Sequence, residues 1–229
     1  MFRRKVKTHF HPFSYKKWFS YVWPFSTHAH SEYSGKLEIN WIDGRKRLDS
    51  ENANYSYGSL QRILETGLET LNLSAVQSVL LLGLGGGSVI GSLRFRYGYQ
   101  GPILAVDIDP EIIRIAKEEF HILESESLSI RQSDALEFVK QCDQKFDLII
   151  VDLFIDRHVP EVFLEKQFHE AILSCLDEKA NLLMNLGIGL DSEKVPPAIL
   201  KTYTKENRYQ LKLLHGVEGT NTLLLVYGL

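Results

Sequence analysis

From residue 59 onward the chain alternates two hydrophobic patterns. Short runs at 78–82, 103–107, 128–131, 146–152 and 181–186 read as strands, several of them buried. Between and after them, residues 88–97, 110–120, 135–141, 160–176 and 195–207 have the apolar spacing of helices. Val79-Leu80-Leu81-Leu82 and Leu148-Ile149-Ile150-Val151 present no polar face, as a sheet covered by helices on both sides requires. A further helix over 59–71 places Leu60, Ile63, Leu64, Leu68 and Leu71 on one face. The last two strand-like runs, 209–214 and 222–227, are joined by 216–221, too short a stretch for a helix, so they close the sheet as an antiparallel hairpin. The predicted fold is therefore α/β, a doubly wound, mostly parallel, seven-stranded sheet.

Ahead of this region the period changes to two. Leu37, Ile39 and Trp41 alternate with polar residues and run into Asp43-Gly44, which supplies the positive φ angles of a tight hairpin turn. The expected organisation is an N-terminal arm and β-hairpin unit over 1–58 and a Rossmann-like domain over 59–229.

Charge sharpens that division. The 229 residues carry 26 Lys+Arg against 29 Asp+Glu, for a net charge of −3. Residues 1–30, however, hold six basic residues and no acid, leaving −9 on the remainder. The same segment holds nine of the 25 aromatic residues. It reads as a strand-forming arm docked on the body or on a second subunit, with a membrane surface or nucleic acid as the alternatives. Its apolar run is broken by Pro12, Lys16, Lys17 and Pro24, unlike a signal peptide, and no stretch has the length of a membrane span. Two cysteines, Cys142 and Cys175, are too few for a disulfide framework and favour a reducing, cytoplasmic setting. His9-x-His11 and His28-x-His30 lack acids or cysteines at ligand spacing, so no metal is expected. His121, His169 and His215 read as surface or helix residues.

The candidate chemistry gathers at strand ends. The first strand of the alternating region runs into Gly83-Leu84-Gly85-Gly86-Gly87-Ser88, a turn that lets a ligand lie against the backbone at a helix N-terminus. The second ends in Asp107, a carboxylate 24 residues after Gly83, able to accept both hydroxyls of a ribose. Asp109-Pro110 reads as a helix N-cap followed by proline at the first helical position. Asp134 suits either a capping box with Glu137 or contact with an adenine amino group, and the two roles are compatible. Asp152 ends the fourth strand, beside the first, where the winding of the sheet reverses and a reacting group would sit. In the loop that follows, Asp156 is the residue expected to reach the pocket.

Glycine turn, ribose acid, Asp134, Asp152 and terminal hairpin together resemble the class I S-adenosylmethionine-dependent methyltransferase fold. More narrowly, Gly35-Lys36-Leu37-Glu38-Ile39 with Leu48-Asp49, Asn54-Tyr55-Ser56-Tyr57-Gly58, the glycine turn, Val106-Asp107-Ile108-Asp109-Pro110 and 146–152 resemble the spermidine synthase family in order and spacing. The resemblance implies decarboxylated S-adenosylmethionine as cofactor and aminopropyl transfer to putrescine. Gly83, Gly85 and Gly87 would line the cofactor, with Asp107 at the ribose and Asp134 at the adenine. Asp152 would orient and deprotonate the attacking amine, and Tyr57 and Asp156 would belong to the substrate pocket.

Three departures alter the expectation. Ser88 stands where the family has an aspartate for the cofactor's propylamine, Tyr57-Gly58 replaces a tyrosine with a polar neighbour, and the catalytic Asp-x-x-Asp is stretched to Asp152-Leu153-Phe154-Ile155-Asp156. Fewer acids for cationic amines favour S-adenosylmethionine and methyl transfer to a small-molecule acceptor. Authentic aminopropyl transfer making polyamines is the alternative, followed by a non-catalytic nucleotide-binding member of the family. A nucleic-acid substrate is disfavoured, since no Asn-Pro-Pro-Tyr-like motif follows the fourth strand. A homodimer is expected.

Overall fold

The computed structural model describes residues 25–42, 44–50, 54–56, 58–156, 158–189, 195–204 and 208–229. Tyr57 and most of the basic arm lie outside them. The expected α/β architecture is present, with two sheets. The smaller is antiparallel and consists, in spatial order, of β1 (Phe25–Ser31), β2 (Gly35–Ile42), β3 (Arg45–Ser50) and β4 (Asn54–Ser56). Ile42 pairs with Arg45 and Gly44 takes φ 72°, so the hairpin turns where the Asp-Gly signal placed it. The end of the basic segment forms β1, paired along its length with β2.

Helix α1 (Ser59–Leu68) leads into the larger sheet, whose strands are β5 (Val79–Leu82), β6 (Ile103–Asp107), β7 (Leu128–Gln132), β8 (Phe146–Val151), β9 (Leu176–Ile188), β10 (Tyr209–Val217) and β11 (Asn221–Gly228). Their spatial order is β10-β11-β9-β8-β5-β6-β7. The strands from β7 to β9 run parallel, while β11 pairs antiparallel with both β9 and β10. The chain winds outward from β5 to β7, then returns to the other side of β5 as β8. That reversal opens a crevice at the carboxyl ends of β5 and β8.

The period-two alternation of β5 divides the core. Val79 and Leu81 pack with Ile63, Leu64 and Leu68 of α1 and with Val89 and Ile90 of α2 (Ser88–Gly91). Leu80 and Leu82 face the other way, onto Phe138 of α4 (Ala135–Gln141), Phe168 and Ile172 of α5 (Lys166–Cys175), and Ile199 and Tyr203 of α6 (Pro197–Thr204). Helix α3 (Pro110–Phe120) serves both sheets. Ala116 joins the large core, whereas Ile112 and Ile115 pack with Leu37, Ile39 and Leu48 of the small sheet.

Several boundaries differ from expectation. The helix expected over 160–176 is a 3₁₀ turn, Glu161–Leu164, followed by α5, because Glu165 has the extended conformation of ψ 148° between them. Leu176 already belongs to β9, which takes in the polar residues 177–179 that the apolar pattern omitted. Helix α1 stops at Leu68 and α6 begins at Pro197. Beyond Gly91 the helix of the glycine turn widens into a π turn, Ser92–Arg96. His169 is on a helix as read, but wholly in the core: its Nδ1 lies 2.9 Å from the Tyr203 hydroxyl, and burial pushes its pKa down to about 4. No helix among the described residues is long and apolar enough to cross a membrane.

Candidate functional site

A cavity of about 480 Å³ opens at the carboxyl ends of the parallel strands. Gly83, Gly85, Asp107, Asp134, Asp152 and Asp156 all line it. These residues come from four separate strand ends and the loop after β8, and the winding reversal brings them together. Gly87 does not line it. There φ is 77°, and a Cβ would lie 2.4 Å from the Ile122 side chain, so this glycine answers to packing behind the turn. Ser88 is buried and likewise absent from the wall.

Gly83 has a second task besides lining the cavity. Its φ is 93°, and a Cβ would sit 2.2 Å from the carbonyl oxygen of Asp152. The missing side chain lets the ends of β5 and β8 lie side by side, with the Asp152 N–H donating to the Leu82 carbonyl at 2.9 Å.

Asp107 holds the glycine turn from the neighbouring strand. Its Oδ2 accepts the Leu84 N–H at 2.8 Å and its Oδ1 the Asp109 N–H at 3.0 Å, with the Gly85 N–H also directed at the carboxylate. Burial outweighs these donors and pushes its pKa up to about 6. Asp109 caps α3 through the Glu111 and Ile112 N–H groups. Its other oxygen accepts from Ser31 and Ser34 of the small sheet's first turn. Asp134 caps α4, accepting the Glu137 N–H at 2.9 Å, while Glu137 itself turns to Lys140 and not back to the cap. The Asp134 side chain is partly exposed towards the cavity.

Asp152 Oδ1 accepts from Asn185 Nδ2 at 3.0 Å, and no other side-chain bond of this carboxylate is formed among the described residues. Burial raises its pKa to about 6, and the Asn185 bond opposes the shift. Beyond it, Ile155 and His158 exchange backbone hydrogen bonds at 3.0 and 3.1 Å, closing a tight turn that puts Asp156 at φ 54°. Ser50 of β3 donates to Asp156 Oδ1 at 2.9 Å, so the small sheet also reaches this end of the cavity.

The rest of the wall is mostly apolar, including Leu153, Phe154, Val162 and Phe163. Tyr33, Ile108, Ile155 and Ile188 line it while remaining exposed at its rim. No Lys, Arg or His lines it among the described residues. The pattern along the strands did not single out Ser50, Asn185 or Asn221. Asn185 carried a usable signal: it is a lone amide within the apolar run Leu182-Leu183-Met184-Asn185-Leu186, as Asp152 is a lone acid after one.

The chain is similar to proteins of two activities on this scaffold. It is 30% identical over 115 residues to a polyamine aminopropyltransferase of Vibrio vulnificus, an alignment covering 49% of this chain and 36% of that enzyme. It is 26% identical over 198 residues to an eEF1A lysine and N-terminal methyltransferase homolog of Drosophila pseudoobscura pseudoobscura, covering 75% of this chain and 28% of that protein. The chain thus spans about a third of the length of these relatives. Among solved structures, human methyltransferase-like protein 13 in complex with SAH superposes with a TM-score of 0.60 at 21% identity, over 76% of this chain and 83% of that one. That superposition supports the fold. The spermine/spermidine synthase domain matches residues 63–187, which is more than half of the chain and runs from α1 through the glycine turn and Asp152 to Gly187; the chain belongs to that family.

Proposed function

We propose that the chain is a transferase that binds S-adenosylmethionine or its decarboxylated form and alkylates an amine on a small-molecule acceptor, with methyl transfer as the leading reaction. The observation that carries this reading is the single cavity in which the glycine turn, Asp107 and Asp134 meet Asp152 and Asp156. The donor set fits a sulfonium nucleoside. Gly83 and Gly85 leave backbone open to the ligand, Asp107 has acceptor capacity left for ribose hydroxyls, and Asp134 can meet an adenine amino group. Asp107, Asp134 and Asp152 line a cavity with no Lys, Arg or His among its described lining residues, which suits a positively charged ligand.

When bound, the sulfonium supplies an electrophilic carbon to the acceptor's nitrogen. An amine with a pKa of about 10 must first lose a proton. Asp152 is the group to take it, through the oxygen left free by Asn185. Leu153, Phe154 and Val162 give that end apolar walls, which strengthens the hold of Asp152 on an ammonium. Asp156, braced by Ser50, would bind a further polar or cationic group of the acceptor.

Methyl transfer leads because the acceptor end offers only these two acids among the described residues and Ser88 is buried away from the cavity. One observation supports aminopropyl transfer instead: the carboxylate of S-adenosylmethionine would meet no cation among the described lining residues. Calorimetric titration with both cofactors separates the readings. Tighter binding of S-adenosylmethionine, with methylation of a primary amine, is the expected outcome. Much tighter binding of the decarboxylated form with turnover of putrescine would overturn methyl transfer, and failure to bind either would overturn the whole reading.

A further inference from the structure

Asp152 stands at the end of a chain of amides. Asn185 of β9, completely buried, donates from Nδ2 to Asp152 Oδ1 at 3.0 Å. Its Oδ1 accepts from the Gly187 N–H at 3.1 Å and from Asn221 Nδ2 at 3.0 Å. Asn221 opens β11, and its own oxygen accepts the Thr220 hydroxyl at 2.8 Å.

The direction of this chain is fixed by chemistry. A backbone N–H can only donate, so the Asn185 atom facing Gly187 must be its oxygen, and the NH₂ is left for Asp152. Turning the amide over would set oxygen against carboxylate and NH₂ against two donors, losing all three bonds at an amide that is itself completely buried. Thr220 and Asn221 also line the cavity, so the relay runs along its wall from the β10–β11 turn to the acid.

We propose that Asn185, locked in orientation by Gly187 and Asn221, is the positioning residue of the reaction: it occupies one oxygen of Asp152, holds the acid in its charged form, and leaves the other oxygen for the acceptor's amine. The proposal rests on the reading of Asp152 as the proton acceptor. Tyr33 shares the rim of the cavity without bonding to Asp152, and the charged groups on its described wall are Asp107 of β6, Asp134 before α4 and Asp156 of the loop, all acids. None of them can favour the carboxylate form of Asp152, so the donor that opposes its desolvation is Asn185. The terminal hairpin thereby acquires a part in the chemistry although Asn221 touches neither reacting atom.

The test reads the Asp152 carboxyl directly, by carbon-13 NMR titration of the ligand-free protein. Asn185→Leu, close in volume, should raise the titration midpoint by about one pH unit, a tenfold change in proton affinity. Asn221→Ala should raise it by a smaller amount, since Gly187 still holds the amide. In turnover, Asn185→Leu should lose activity at pH 7 and regain most of it at high pH, which a merely distorted site would not do. If Asn185→Leu does not fold, the Asn221→Ala midpoint and pH profile decide the matter. Midpoints unchanged from wild type in folded variants that still bind S-adenosylmethionine overturn the relay. A shifted midpoint in a protein that binds no sulfonium nucleoside upholds the hydrogen-bond coupling but overturns its catalytic role along with the functional reading.

Discussion

The two ends of the cavity are built differently. At the glycine turn, the acids are held by backbone N–H groups: Asp107 by Leu84 of the turn and by Asp109, Asp134 by Glu137. At the other end, Asp152 and Asp156 are held by side chains brought from afar, Asn185 of β9 and Ser50 of β3. A backbone donor survives almost any substitution at its own position, whereas a side-chain donor disappears with one. On the proposed function, the nucleoside end is built to be constant and the acceptor end can be retuned one residue at a time. One family can then contain enzymes of different acceptors without rebuilding the fold.

The most severe way to break this division is at the one residue that belongs to both ends. Gly83→Ala forces a Cβ to 2.2 Å from the Asp152 carbonyl, at a φ of 93° that alanine resists. Destabilisation by about 3 kcal/mol or more is expected in denaturant titrations, with nucleoside affinity and turnover lost together. Retention of either function would show that the ends are less tightly joined than their geometry implies.

Asp152→Asn should separate them. Turnover falls by about a thousandfold, within the range attributed to a positioned base, while nucleoside affinity holds. Stability should move the other way. The folded pKa of about 6 lies above the ordinary 3.8, so the native state binds the Asp152 proton more tightly than the unfolded chain. The resulting penalty grows as pH rises from about 4 to about 6 and is complete above that window. The asparagine variant should therefore be more stable than wild type at pH 7, by up to about 3 kcal/mol, and equal to it at pH 3. Wild-type turnover should rise through the same window as the base is freed. A flat profile there would remove Asp152 from the base role.

Ser50→Ala gives the mildest and most selective disturbance. It removes one hydrogen bond to Asp156, worth about 1 kcal/mol, and should raise the acceptor's KM by about fivefold while leaving nucleoside affinity alone. An equal effect on both would mean that the small sheet supports the site as a whole and not its acceptor end.

The same contrast decides what was legible in the sequence. The glycine turn, Asp107 and Asp134 are read from a strand, a turn and a helix start that follow one another, since the geometry there is local. The hairpin at Gly44 and the parallel core were equally readable, because period and turn chemistry act over a few residues. Ser50–Asp156 and Asn185–Asn221 are not, for their partners lie far apart in the chain and meet only once the sheet order is known. Where local pattern did mislead, polar residues were responsible: 177–179 extend β9 at its exposed start, and Glu165 interrupts a helix that the apolar spacing carried through it.

Asp109 has a consequence for the order of assembly. Its carboxylate caps α3 with one oxygen and receives Ser31 and Ser34 with the other, and Ile112 and Ile115 of the same helix meet the apolar face of the small sheet. That sheet has no seat until β6 and α3 have formed, because both its polar latch and its apolar partner lie on the first turns of that one helix. Folding should run from the strand–helix unit that carries Asp107 to the sheet that carries Ser50. The acceptor end would then be the last part of the molecule to take shape.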